Sequence, residues 1–358
     1  MSLNNYRTLG NSGLVVSPLA LGTMTFGTDN WGADKETSKQ IFNAYINEGG
    51  NFVDTADIYS GGLSEQMVGE FISSAKLRDR VVVSTKFAFN NSSSPLLANQ
   101  KGAGNPNEGG TGAKNIHRAL NESLKRLQTD YIDLYWMHIW DGVTPVEEVV
   151  QTLGDLVRSG KIRYYAFSDM PAWFAMKAAT IASERRIPGP IAMQFEYSLV
   201  ARDIETEHVP VAREAQMGIM PWSPLAGGFL SGKYTREKIE TSGRLNKPNP
   251  FGQSKFTEKN WLILDEVRRI SSELNCSPSQ VSLAWVMNQK YVSSTLIGAR
   301  DLKQLKDNLF SNQIKLSPES ILALNTISDI PASFTNSLAS KDIRKMVFGG
   351  NDVKSWQE

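Results

Sequence analysis

A short apolar strand runs directly into polar chemistry at residues 51–60, which read Asn51-Phe52-Val53-Asp54-Thr55-Ala56-Asp57-Ile58-Tyr59-Ser60. Its first residues favour a β-strand, and the two glycines in front of it end the preceding element. Buried carboxylates and phenols are costly unless they are paired, so we expect this strand to reach an open pocket. A second apolar strand, at residues 81–86, ends in an amine. Asp54, Tyr59 and Lys86 are therefore predicted to gather at one mouth of a parallel sheet, which we interpret as an active site.

The chain around this stretch alternates between short apolar strands and helices. Strands are predicted at residues 19–22, 52–54, 81–86, 131–138, 164–167, 191–194, 218–221 and 294–297. Helices are predicted at residues 38–48, 65–73, 115–127, 146–159, 172–184, 207–216, 260–274, 278–288 and 302–309. Such alternation implies a parallel sheet covered by helices, and eight units indicate an α/β fold closed as a (β/α)₈ TIM barrel. A hairpin predicted at residues 6–16 would plug its lower end.

Three further segments are candidates for long loops at the C-terminal mouth of the barrel. Residues 88–114 and 235–257 are polar, contain several helix breakers and follow strands. Loops of this length are uncommon unless they are functional or disordered. The tail after Ile330 is a third candidate lid, with little helix punctuation. We expect one domain over residues 1–358, with a barrel core at about 17–310 and a C-terminal extension at 311–358.

The composition limits the classes of partner. A formal net charge of +1 over 358 residues offers no basic excess for nucleic acid and no charge block for a membrane surface. The single cysteine, Cys276, cannot form an intramolecular disulfide, which suits a reducing compartment. The N-terminus lacks an apolar signal region, and no apolar run is long enough to span a membrane. We expect a cytoplasmic protein whose oligomeric state the sequence does not indicate.

Tyr59 is the candidate general acid. A free phenol has a pKa of about 10, and a nearby ammonium favours phenolate and lowers that value. Lys86 would supply the ammonium and Asp54 would hold it, which suits the trio to donating a proton onto a carbonyl oxygen. The alternative, that Tyr59 and Lys86 are unrelated loop residues, stays open on these residues alone.

His138 ends the fourth predicted strand, where a neutral imidazole could orient a carbonyl oxygen or relay a proton. A lone histidine is more often a structural residue, so the signal is weak by itself. The three histidines and one cysteine are too scattered for a zinc-type cluster, and we expect no metal.

Two segments near the end of the chain are typical of ligand contacts. The last strand runs through Gly298 into a helix beside Arg300, where backbone N–H groups and a guanidinium favour phosphate. A plain glycine turn with a solvated arginine is the alternative. After strand seven, Trp222 could stack on a planar ring beside close-approaching glycines, or simply pack in the core. The chain has no GxGxxG or GxxxxGK[ST] fingerprint, which disfavours a Rossmann or P-loop site.

The motifs together resemble the aldo-keto reductases over nearly the whole chain, from about Tyr6 to Leu309. They are, in chain order, Gly22-Thr23-Met24, Asp54-Thr55-Ala56 with Tyr59, Lys86, His138, Gly160-Lys161-Ile162-Arg163, Ser168-Asp169, Gln194 with Glu196-Tyr197, and Trp222-Ser223-Pro224-Leu225. The 88–114 insertion, the segment after His138 and the Ser168-Asp169 pair are most similar to the bacterial and fungal aryl-alcohol dehydrogenase-like branch.

The resemblance implies an enzyme that reduces an aldehyde or ketone, aromatic ones included, with NADPH/NADP⁺. Tyr59 would be the acid, Lys86 and Asp54 its tuning pair, and His138 the orienting group, while Arg300 favours NADP over NAD. The implied cofactor-binding residues are Gly22, Thr23, Met24, Asp54, Ser168, Asp169, Gln194, Trp222, Ser223, Pro224, Leu225, Gly227, Lys233, Gly298, Arg300, Gln304 and Asn308. Candidate walls of the substrate pocket, chosen because they follow strand ends, are Trp31, Phe89 and Trp140.

Two points stay open at this stage. Many members of the family have Ser-Asn where this chain has Ser168-Asp169, and a carboxylate can accept from the carboxamide NH₂ but cannot donate to its C=O. A more distant resemblance, to potassium-channel β-subunits, implies a cofactor-loaded regulatory module instead. That alternative ranks lower because the sequence shows no partner-binding extension.

Overall fold

The protein is built around a barrel of parallel strands. The computed structural model describes residues 2–28, 32–90, 104–236, 245 and 255–354. The strands in this part of the chain are β1 (Arg7–Thr8), β2 (Val15–Val16), β3 (Leu19–Gly22), β4 (Phe52–Asp54), β5 (Val82–Phe87), β6 (Ile132–Met137), β7 (Ile162–Ser168), β8 (Ala192–Glu196), β9 (Gly218–Trp222) and β10 (Thr295–Ile297). Among the described residues, eight parallel strands follow one another in the order β10-β3-β4-β5-β6-β7-β8-β9.

The two ends of this order meet, which confirms the predicted (β/α)₈ barrel. A parallel bridge joins Ile219 in β9 to Val292, just ahead of β10. The Ser293 N–H adds a hydrogen bond of 2.9 Å to the Ile219 carbonyl. Since all eight strands run the same way, their carboxyl ends share one mouth, as in other barrels of this type.

The N-terminal hairpin fills the opposite end of the barrel. β1 and β2 pair in antiparallel fashion, and the buried side chains of Leu9 and Leu14 cluster with those of the barrel interior. Gly10, between them, has a φ of +60°, and a Cβ there would lie 2.3 Å from the Ile191 carbonyl oxygen. Only glycine fits such a backbone at such a distance. The hairpin is therefore the predicted plug.

Helices cover the outside of the sheet. In the described residues they are α1 (Lys35–Asn47), α2 (Leu63–Ser74), α3 (Ala113–Leu127), α4 (Val146–Arg158), α5 (Ala172–Arg185), α6 (Ile204–Glu214), α7 (Glu258–Glu273), α8 (Pro278–Met287), α9 (Leu302–Phe310), α10 (Pro318–Ile327), α11 (Phe334–Ser337) and α12 (Lys341–Val347). The apolar stripe of α3, with Ile116, Leu120 and Leu124, is buried as its spacing indicates. None of these helices has the length and apolarity that crossing a bilayer requires.

The C-terminal tail differs from the expectation of little helix punctuation. After Ile330, serine side chains cap the first turns of α11 and α12, at Ser333 and Ser340, and Ser317 caps α10 just ahead of the tail. The Arg202 guanidinium donates to the Asn325 carbonyl at 2.9 Å, which fixes α10 to the body of the protein. Most of the described side chains after Ile330 are exposed, and whether the tail acts as a lid stays a prediction.

Candidate active site

The buried ammonium of Lys86 is the centre of the site. It donates to the Asp54 carboxylate, to the Thr55 carbonyl at 2.9 Å and to the Tyr59 hydroxyl at 3.4 Å. Asp54 ends β4 and Lys86 lies near the end of the neighbouring strand β5, so pairing of the two strands brings the charges together. The structure thus brings together Asp54, Tyr59 and Lys86, as the positions of the strand ends predicted.

Ser84 is a member of this cluster that sequence reasoning missed. Its buried hydroxyl donates to Oδ1 of Asp54 at 2.5 Å, while Oδ2 faces Lys86. Residues two apart in a strand face the same side, so the alternation of Ser84 with Lys86 was the available signal. With both oxygens engaged, Asp54 is held in one orientation.

Tyr59 reaches the cluster from a tight turn after β4. Its N–H donates to the Ala56 carbonyl at 3.2 Å, and the turn continues through Ser60, whose φ is +50°. The Ser60 hydroxyl donates to the Phe26 carbonyl at 2.9 Å, which anchors the turn. Local backbone geometry, rather than a strand, therefore places the phenol.

Burial determines the electrostatics of the trio. It raises the pKa of Tyr59, and the Lys86 ammonium offsets only part of that rise. The Lys86 ammonium lowers the pKa of the phenol as expected, but burial outweighs it, so the net shift is upward. Burial alone would lower the pKa of Lys86, but Asp54 and Tyr59 raise it above the ordinary value. At neutral pH the phenol keeps its proton and the amine stays charged, so Tyr59 can donate a proton.

His138 follows β6 and faces the Tyr59 ring edge-on, with 5.9 Å between the ring centroids. Burial lowers the pKa of the imidazole well below its ordinary value, and the Lys86 charge lowers it further. Nδ1 has no hydrogen-bond partner among the described residues. A neutral imidazole at this place can hydrogen-bond an incoming oxygen without carrying charge.

The other side of the mouth carries hydrogen-bonding groups on β7, β8 and β9. The Ser168 hydroxyl lies 3.2 Å from Oδ2 of Asp169, and the Trp222 indole N–H donates to Oδ1 at 3.3 Å. Gln194, paired with Ser168 in the sheet, donates its amide to the Met220 thioether at 3.7 Å. A thioether is a weak acceptor, so the buried Gln194 amide keeps capacity for a stronger polar partner.

The loop after β9 adopts left-handed backbone at Ser223, Ala226 and Gly227. The Ser223 hydroxyl accepts from the Gly227 N–H at 3.0 Å, so that N–H group is used within the loop. Pro224 is buried, Leu225 is half-buried, and the exposed Lys233 places its ammonium 5.0 Å from the Tyr234 ring.

A cavity of about 620 Å³ lies beside α9. Arg300 lines it and is exposed, together with Lys303 and Lys306, which sequence reasoning missed although they follow Arg300 at helical spacing. Gln304 accepts from the Arg300 N–H at 3.2 Å, and Asn308 donates to the Gly298 carbonyl at 3.2 Å. These two amides stabilise the loop, and the three cations line the cavity together with Asp301 and Asp307.

The segment after β3 supports Asp54 from behind. The N–H and the hydroxyl of Thr23 donate to the Asp54 carbonyl at 2.9 and 3.1 Å. The Ser64 hydroxyl donates to the Thr23 hydroxyl at 2.8 Å, so the Thr23 side chain is buried and engaged. Gly22 and Met24, on either side of it, are half-buried.

The predicted substrate walls separate in the structure. Trp31 lies outside the described residues. Phe89 packs edge-on against His138 with 5.0 Å between the centroids. Trp140 packs against Trp173 of α5 at 5.3 Å and donates to the Thr144 carbonyl. Phe89 is therefore the one of the two described aromatics that contacts His138.

The described ends of both long loops lie at this mouth. Asp141, after β6, accepts from the Thr111 N–H at 2.7 Å, and Lys255 pairs with Glu196 at the end of β8 at 2.8 Å. Both contacts tie a loop end to the carboxyl side of the barrel.

The sequence is similar to those of known proteins. The sequence profile described as "Aldo/keto reductase family" matches residues 18–329. The chain belongs to the aldo/keto reductase family. This aldo/keto reductase is similar to an "Uncharacterized oxidoreductase YrpG" of Bacillus subtilis, at 36% identity over 92% of the chain and 98% of the relative.

Two fungal relatives have more specific names. A "Norsolorinic acid reductase" of Aspergillus flavus is 32% identical over 95% of the chain and 89% of the relative. An "Aryl-alcohol dehydrogenase [NADP(+)]" of Phanerodontia chrysosporium is 32% identical over 90% of the chain and 86% of the relative. These likenesses confirm the predicted aryl-alcohol dehydrogenase-like branch. The chain is an oxidoreductase of a family that acts on small carbonyl compounds and uses nicotinamide cofactors.

The residues present fit such a cofactor. The Gln194 amide is buried beside a weak acceptor and can bind a carboxamide. Three cations line the α9 cavity, and none of the salt bridges among the described residues involves Arg300. Groups of these kinds suit the two ends of a nicotinamide dinucleotide.

Proposed function

We propose that this protein reduces an aldehyde or ketone to the alcohol with NADPH. The observation that supports it most is the buried Lys86 ammonium, which contacts both a carboxylate and a protonated phenol at the barrel mouth. A phenol that is protonated at neutral pH beside a fixed cation suits proton donation onto a carbonyl oxygen.

Bound NADPH would supply the hydride. Tyr59 gives its proton to the carbonyl oxygen of the substrate as negative charge develops there. The Lys86 ammonium stabilises the phenolate that remains, and Asp54 keeps that ammonium in place. His138, neutral and 5.9 Å from Tyr59 between ring centroids, orients the same oxygen.

The cofactor would lie across the mouth from β7 to α9. Ser168, Asp169 and Gln194 would hold the nicotinamide carboxamide, and Trp222 would stack on the ring. The loop at 223–227 would line the pyrophosphate, and Arg300 the adenosine 2′-phosphate. Preference for NADPH over NADH is supported by the cations of the α9 cavity and by the printed name of the Phanerodontia relative.

The substrate class that we propose is aromatic aldehydes and ketones. One relative is named for an aryl alcohol, which is an aromatic substrate class. The Phe89 ring, next to His138, offers an apolar wall at the place where the carbonyl oxygen would bind.

Steady-state reduction of benzaldehyde by Tyr59→Phe tests the proposal, with loss of NADPH absorbance as the readout. We expect kcat to fall by about 10²–10⁴-fold, the usual contribution of a general acid. Quenching of tryptophan fluorescence by NADPH should be unchanged. Tyr6→Phe, whose hydroxyl bonds the Gly49 carbonyl on the surface, is the matched control. Unchanged turnover of Tyr59→Phe would remove Tyr59 from the chemistry.

A further inference from the structure

Asp169 directly follows β7. An asparagine at this position would offer a neutral amide that can both donate to and accept from a carboxamide. The φ of Asp169 is +45°, and its N–H donates to the Gln194 carbonyl at 3.2 Å, so the backbone fixes its direction. The Trp222 indole donates to one carboxyl oxygen and the Ser168 hydroxyl lies close to the other. Both neighbours belong to the proposed nicotinamide site, and the carboxyl group is thus built into it.

The surroundings of this carboxyl group disfavour its charge. Burial raises the pKa of Asp169 to about 6, although Trp222, Ser168 and the more distant Lys86 each lower it. Glu196 on β8 raises it further.

The charged and titratable groups that face Asp169 are already committed elsewhere. Lys86 on β5 pairs with Asp54, Glu196 pairs with Lys255, and Tyr59 keeps its proton. No salt bridge among the described residues reaches Asp169. The direct contacts of the carboxyl group are therefore neutral donors, and Lys86 favours its ionised form only from a distance.

We propose that Asp169 binds the nicotinamide carboxamide as a neutral carboxylic acid, and that nucleotide binding takes up a proton from water to form it. This inference rests on the proposed function. A carboxylic acid offers one donor and one acceptor, which match the C=O and the NH₂ of a carboxamide. An ionised carboxylate could only accept a hydrogen bond from the NH₂, and its negative charge would repel the oxygen of the C=O. The bound ring also excludes water, which adds to the penalty for charge at Asp169.

Proton uptake on binding is the direct test. Isothermal titration of NADPH at pH 7 in phosphate and in Tris, whose ionisation enthalpies differ, reports the protons exchanged. We expect wild type to take up more protons than Asp169→Asn, in which the amide supplies the donor permanently. Titration of the nucleotide 2′-phosphate is common to both proteins and cancels in the comparison.

The affinity for NADH, which lacks the 2′-phosphate, gives a second readout. For wild type it should weaken by up to about tenfold per pH unit above pH 6, and for Asp169→Asn it should vary much less. Asp169→Ser, with a permanent hydroxyl donor, should behave as Asp169→Asn does and serves if that variant folds poorly.

The results that would contradict this inference differ from those that would contradict the proposed function. Equal proton exchange in wild type and both variants, or wild-type affinity for NADH that rises with pH, would overturn this inference and leave the proposed function intact. Absence of any nucleotide binding by wild type would overturn both.

Discussion

The ammonium of Lys86 lies 3.4 Å from the hydroxyl of Tyr59. The same nitrogen contacts the Asp54 carboxylate, and both charged side chains are buried. One cation therefore contacts both the phenol and the carboxylate. Removing this cation should lower both the activity and the free energy of unfolding, and the two effects can be measured separately.

Replacing Lys86 with methionine should lower kcat by about 10²-fold or more, because the phenolate left by proton donation loses its counter-charge. The free energy of unfolding should fall by about 3–5 kcal/mol, since Asp54 becomes a buried charge without its ion pair. Urea unfolding at pH 7 measures the stability, and benzaldehyde reduction the activity.

The double variant Lys86→Met/Asp54→Asn is the matched control for that prediction. It removes both charges, so it should recover part of the lost stability and none of the lost activity. A single variant as stable as wild type would show that Asp54 does not depend on the lysine.

Arg126→Met tests a second buried pair, behind the site. Its guanidinium contacts Glu65 at 2.5 Å, and the fully buried Glu65 also accepts from Thr85 at 2.6 Å. Loss of the arginine leaves that carboxylate without a cation, which should cost about 3–5 kcal/mol in the free energy of unfolding. Arg269→Met, which breaks exposed pairs on α7, should leave stability unchanged within error. Equal effects of the two variants would contradict the role of burial.

Asp57 should make stability fall as pH rises. Burial raises its pKa to about 7, with Glu65 adding to the rise and Arg126 and Arg118 offsetting part of it. The folded state therefore binds a proton that the unfolded state loses near pH 4, so the cost of ionisation grows between about pH 4 and 7. Relative to wild type, Asp57→Asn should gain stability across that window, on the order of a few kcal/mol by pH 8. Urea titrations at several pH values measure this difference, and a difference independent of pH would refute it.

Arg300→Ala should separate the two nicotinamide nucleotides. The exposed guanidinium lines the α9 cavity, and a charge-assisted contact with phosphate corresponds to about 10–100-fold in affinity. We expect NADPH binding to weaken by that factor and NADH binding to stay the same. Lys315→Ala removes an exposed cation that is not among the residues lining that cavity, so it controls for the change in net charge. Equal weakening of both nucleotides would assign Arg300 another role.

The sequence was most informative where a strand is short and apolar. Predicted and observed bounds of β4 coincide at Phe52–Asp54, because alternation with helices leaves such a segment one place in the sheet. α10 escaped prediction although Ser317-Pro318 is a helix-start signal, since Leu324 is its only fully buried residue and its apolar pattern is weak. The single-domain organisation stays a prediction.

In the site, contacts between strand ends could be predicted and burial could not. Parallel strands imply that Asp54 and Lys86 meet, whereas the rise in the pKa of Tyr59 depends on how completely its turn is covered. The packing of Trp140 against Trp173 is a contact between the segment after β6 and α5, which no local pattern encodes. The residues that the sequence analysis missed are the buried Ser84 and two lysines on the surface of α9, Lys303 and Lys306.

The pairing of β3 with β10 has a consequence for synthesis on the ribosome. Leu19 pairs with Thr295. The second neighbour of β3, the first barrel strand, is therefore translated only near the end of the chain. Until then the nascent chain carries an unpaired parallel edge, which is a template for association with other chains. Chaperone supply and elongation rate over the last third of the message should therefore influence the yield of correctly folded protein.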